Sequence, residues 1–67
     1  MTTFNVVIEK GEDGYLISDV VELPGCHTQA KNMKELMERT KEAISLYLKV
    51  KGKDIRDNFI EIKKIEV

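Results

Sequence analysis

The sequence predicts an α+β domain of order βββαβ: a mixed four-stranded sheet with one long helix on one face. Three observations carry that prediction. Runs of apolar, β-branched residues with two-residue alternation occupy both ends of the chain. Two glycine-containing turns, Gly11-Glu12-Asp13-Gly14 and Pro24-Gly25, punctuate the first half. From Met33 onward the apolar spacing changes from two to about 3.6 residues.

Residues 3–10 read as the first strand. Phe4, Val6 and Ile8 share one face; Asn5, Val7 and Glu9 share the other. Val7 implies that the second face is not wholly wet. The turn at 11–14 closes a hairpin onto a second strand over 15–21. There Leu16, Ser18 and Val20 oppose Tyr15, Ile17, Asp19 and Val21. Both sets mix polar and apolar residues, so alternation leaves the core face open. Pro24 lacks an N–H and fixes φ, so no central strand runs through it. Pro followed by Gly at the two central positions predicts a type II turn. Residues 26–30 form the returning third strand.

Asn32 is the expected N-cap, with Glu35 three residues on, a capping box with Asn replacing Ser or Thr. Met33, Leu36, Met37, Thr40, Ile44, Tyr47 and Leu48 make one stripe, with Ala43 beside it. Lys34, Glu35, Glu38, Arg39, Lys41, Glu42 and Lys49 populate the opposite side. Glu35–Arg39 and Glu38–Lys41 are favourable pairs at helical spacing. Gly52 is the expected residue just past the helix, which spans 33–51. A polar loop follows over 53–58, then a last strand over 59–67. Ile60 and Ile62 have one parity, Ile65 and Val67 the other, which predicts a bulge near Lys63-Lys64 or a frayed end. Alternating directions make the third and fourth strands parallel, joined across the helix by a right-handed crossover.

The 67 residues make a single domain over 1–67. A chain of this size buries only about 60% of its unfolded surface. The single cysteine excludes an internal disulfide, and Cys26 with His27 cannot close a structural zinc site. Oligomerisation is the remaining common means of support. An uncovered second sheet face gives an independent reason to expect a homodimer or higher homo-oligomer. A hydrophobic content of 42% with 34% charged residues is globular, and a net charge of −1 argues against a dedicated nucleic-acid binder. No apolar run reaches the roughly 18 residues of a membrane span, and no stretch reads as a signal peptide. The lone thiol fits a reducing cytoplasm.

Several of these stretches together resemble the HicB-like antitoxin family. They are Phe4 with Val6-Val7-Ile8-Glu9-Lys10, Asp13-Gly14-Tyr15, Glu22-Leu23-Pro24-Gly25-Cys26-His27-Thr28-Gln29, and Glu42-Ala43-Ile44. The similarity covers nearly the whole chain. The Leu-Pro-Gly-Cys element followed by Thr-Gln is its most specific part. The resemblance implies a partial RNase H-like fold and a protein partner, a HicA-like toxin that cleaves mRNA and whose catalytic histidine the antitoxin covers. The chain departs from the pattern at Ala30, where the family usually has Gly. Many members also carry a C-terminal helix-turn-helix or ribbon-helix-helix domain. With Val67 as its last residue the chain leaves no room for one, so no direct DNA binding is expected.

The candidate chemistry is sparse. Cys26-His27 invites a nucleophile–base reading, but strand neighbours point to opposite faces, which predicts a packed Cys and a surface His. Glu9, Asp13, Asp19 and Glu22 are the acids that an RNase H-like magnesium site would draw on. Two-metal chemistry needs several that converge, and turn formers on solvated faces are the expected reading. Gly11 and Gly14 lack the helix and lysine of a phosphate loop. Phe4, Tyr15 and Phe59 are expected in the core rather than stacked on bases, as are Met33, Met37 and Tyr47. No catalytic residue, metal or cofactor is therefore expected. A protein-binding surface remains. Glu12, Asp13, Asp19 and Glu22 lie around the two turns and the second strand, where one acidic patch would steer a basic toxin. The expected function is thus steric neutralisation of a HicA-like toxin. The alternatives are an orphan homo-oligomeric interaction module and a weak metal-dependent nuclease.

Overall fold

A computed structural model describes residues 2–53 and 59–67. Its elements are β1 (Thr2–Lys10), β2 (Leu16–Val20), β3 (His27–Ala30), α1 (Met33–Val50) and β4 (Ile60–Glu66). The fold is α+β with the order βββαβ, and the four strands form one mixed sheet in the order β3-β2-β1-β4. β1 pairs antiparallel with β2 and parallel with β4, while β2 pairs antiparallel with β3. β3 and β4 thus run in the same direction but occupy opposite edges. The expected loop at 53–58 lies, from 54 onward, outside the described residues.

The turns follow their residues. Gly11 N donates to Tyr15 O at 2.7 Å and closes the β1–β2 hairpin. Cys26 N donates to Leu23 O at 2.9 Å across Pro24-Gly25, and Gly25 has φ 82°, which completes the type II turn. Leu23 inserts into the core and anchors that turn.

The helix ends are both satisfied by their own sequence. Asn32 Oδ1 accepts from Glu35 N at 2.8 Å. The return half of the expected capping box is replaced, because the Glu35 carboxylate pairs with Arg39 Nη2 at 2.7 Å. At the other end the helix proper stops at Val50, one residue short of the expected span, and Lys51 is the C-cap with Gly52 just past it as expected. Gly52, with φ 83°, donates to Lys49 O, and Lys53 N donates to Leu48 O. These two bonds are the Schellman arrangement.

The core lies between α1 and one sheet face. Phe4, Val6, Ile8, Val20, Ala30 and Ile60 meet Leu36, Ile44 and Leu48 there. That settles the face of β2: Ser18 and Val20 point inward, Ile17 and Asp19 outward. Ser18 is fully buried without loss because its hydroxyl bonds Thr40 Oγ1 at 2.7 Å, and Thr40 Oγ1 in turn donates to Leu36 O at 2.6 Å. The expected bulge in β4 does not form. Its register with β1 is unbroken from Thr2↔Ile60 to Ile8↔Glu66. Ile65 changes parity because it belongs to the outer face, where it neighbours Val7. Phe59 also departs from expectation. It precedes β4 and is 49% exposed rather than in the core. Met33, Met37 and Tyr47 pack against the core as partly buried side chains.

Candidate functional site

The helix covers one side of the sheet, and among the described residues nothing covers the other. On that outer face the registers align His27, Asp19, Val7 and Ile65 in one row across all four strands. Gln29, Ile17 and Glu9 form the next row. Val7 and Ile17 are only partly buried, and Ile65 is 41% exposed. An apolar strip therefore crosses the sheet from β2 to β4, bounded by Asp19 and His27 on one side and by Glu9 and Lys63 along the strands. It comes from two-residue alternation alone, since each of these residues is odd-numbered on its strand and opposes an inward neighbour.

The four candidate acids do not form one cluster. Glu12 and Asp13 sit in the β1–β2 hairpin turn, and Glu22 lies beyond the opposite end of β2. Five residues of strand separate them, about 17 Å at some 3.4 Å per residue. Asp19 lies between, on the outer face and directly beside Val7. Glu22 is already engaged. Its carboxylate accepts from Asn5 N at 2.9 Å and from Asn5 Nδ2 at 2.6 Å, and so ties the segment after β2 back to β1. Loss of solvent contact pushes the Glu22 carboxyl upward, but the side-chain and backbone hydrogen bonds from Asn5, with its own amide, outweigh this and lower its pKa overall.

Cys26 and His27 part company as strand geometry requires. Cys26 is buried in the core, where burial first and the Asp19 charge second push its thiol pKa up. His27 is exposed. Such a thiol is held in its unreactive form. Among the described residues no three His, Cys, Asp or Glu side chains come together as metal ligands would. Glu9, Asp13, Asp19 and Glu22 are spread from the hairpin turn to the far end of β2. Among the described residues no helix is long and apolar enough to cross a membrane.

Residue patterns alone missed Ile65, which looked like a phase slip rather than part of a face. Val7 was the legible signal, an apolar residue on the polar side of β1. The apolar Leu46 and Val50 on the helix flank also went unread, because they fall outside the core stripe.

Similar sequences occur in other organisms. A UPF0150 protein of Archaeoglobus fulgidus is 60% identical over 65 residues, 96% of this chain and 93% of its own length. This chain belongs to the UPF0150 family. A UPF0150 protein of Thermoplasma acidophilum is 46% identical, over 88% of this chain and 91% of its own. One from Synechocystis is 38% identical, over 96% and 93% respectively. These UPF0150 relatives match across the sheet and the helix alike, so the similarity is to the whole domain rather than to one motif. No family model matches the chain. No solved structure matches it either.

Proposed function

We propose that this UPF0150 chain is a HicB-like antitoxin-type protein, acting in the cytoplasm, that binds a HicA-like mRNA-cleaving toxin and neutralises it by occupying its RNA-binding and catalytic face. The partial RNase H-like description of the fold belongs to the same proposal. Two things support it. One is the resemblance carried by Glu22 to Gln29 and the flanking stretches. The other, which carries most weight, is the uncovered row of Val7 and Ile65 with Asp19 beside it. Apolar area gives such a face its affinity, and a carboxylate at its margin draws in a basic protein. Neutralisation is steric: no side chain makes or breaks a bond. No direct contact with DNA is part of the reading.

Co-expression with a HicA-like toxin tests it, scored by growth and by co-purification. The wild-type chain restores growth and is retained with the toxin. Val7→Lys combined with Asp19→Lys abolishes both while the circular dichroism spectrum is unchanged. A folded wild-type chain that neither rescues growth nor co-purifies overturns the reading, as does a double variant that still neutralises the toxin. Charge reversal at Glu22 is a poorer probe, because Glu22 holds Asn5.

A further inference from the structure

The helix does not sit over the middle of the sheet. It packs on β3 and β2, displaced toward the β3 edge. Its outer flank there is apolar: Leu46 is 57% exposed and Val50 85% exposed, with Ala43 one turn away. Between this flank and the edge runs an open groove of about 380 Å³, which reaches Gly25, Cys26, His27 and Tyr47. A second hollow continues it past Thr28 toward Arg39 and Glu42.

Among the described residues no strand pairs with the outer edge of β3. Val20 N donates to Cys26 O at 2.9 Å, so the β2–β3 bonds run through Cys26, Thr28 and Ala30. By alternation the amide and carbonyl of His27 turn outward. Gln29 O also turns outward and accepts from Arg39 Nη1 at 3.0 Å. An unpaired edge of this kind is a template for another strand.

We infer that β3 and the Ala43–Leu46–Val50 flank together form the interface with a second copy of this chain, related by a two-fold axis perpendicular to the sheet. Three features select a second copy. The first is spacing. Strands lie about 4.8 Å apart, so a helix above β3 and β2 stands about 5 Å from an axis beside β3. Two such helices are then about 10 Å apart, at the upper end of the 8–10 Å range of packed helices. Strand pairing and helix packing thus form in the same step. The second is level. Ala43 and Leu46 line both hollows, opposite Cys26, His27 and Thr28. The apolar flank therefore crosses the axis where His27 pairs with its copy. The third is charge. Glu42 lies before the apolar flank and Lys49 near its end. Antiparallel helices set Glu42 against Lys49 of the second copy, twice. Parallel helices would set like against like. The product is an eight-stranded sheet with both helices on one side. The outer faces bearing Val7 and Ile65 stay open on the other, so this interface stands independently of the toxin-binding reading.

Sedimentation velocity over a concentration series tests the inference. The wild-type chain is a dimer. Leu46→Glu, folded by circular dichroism, weakens it by roughly a hundredfold or more, because a carboxylate meets its copy near the axis. Glu42→Lys and Lys49→Glu each weaken it, and the double reversal restores it. The His27 amide is protected from hydrogen exchange in the wild-type dimer and exchanges freely in Leu46→Glu. A wild-type chain that remains monomeric at every concentration overturns the inference. So does a dimer that survives Leu46→Glu, or one in which the His27 amide exchanges freely.

Discussion

Thr40 shows how one buried hydroxyl fixes the helix on the sheet. Its proton goes to Leu36 O, so the Ser18 hydroxyl must be the donor in the 2.7 Å bond between them. Thr40→Val keeps the shape and removes the acceptor. Ser18 is then buried with an unsatisfied hydroxyl, and the expected loss is about 1–3 kcal/mol in urea unfolding. Ser18→Ala combined with Thr40→Val recovers part of that loss, since neither hydroxyl then remains unpaired. Glu22 gives a second prediction at this scale. Its folded pKa is lowered, so its bond to Asn5 stabilises the fold above the ordinary carboxylate range and is lost as pH falls through the folded pKa. The stability difference between wild type and Glu22→Gln should therefore be present at neutral pH and vanish in strong acid. Unfolding midpoints at a series of acidic pH values check it. Neither contact was legible in the sequence. Ser18 and Asn5 are polar residues in strands, and alternation gives a face but not a partner. Thr40 was legible as a stripe position but not as an acceptor.

Among the elements, α1 was the most legible, because its ends and its buried stripe are written in local residues. Asn32 and Gly52 meet the unpaired amides and carbonyls that every helix leaves. Asn32→Ala removes an acceptor from the first turn, and Gly52→Ala forces a Cβ into φ 83°. Each should lower stability by about 1 kcal/mol, read as a shift in the urea midpoint at constant slope. In a chain whose single core supplies no more than about 3–5 kcal/mol, such a loss is a large fraction of the whole. The strands were legible in number and order but less so in extent. β2 and β3 are each shorter than the expected spans of 15–21 and 26–30, because strand pairing and not composition ends a strand. β4 was misread at Ile65 for a related reason. Its parity has meaning only beside Val7, more than fifty residues away in the chain.

At the scale of the molecule, the fold class could be read, but the placement of the fourth strand could not. Nothing in residues 59–67 says that they join β1 rather than β3. That choice follows from α1, which lies over β3 and β2 and carries the chain across to the far side. The same placement makes β1 a central strand, held by β2 on one side and by β4 on the other. Of these five elements, β1 leaves the ribosome before the others and β4 leaves last. Through most of synthesis Phe4, Val6 and Ile8 present one strand edge with no neighbour. Until residues 60–66 emerge, nascent chains on the same messenger can zip together along that edge, and this interval is when a holding chaperone matters most.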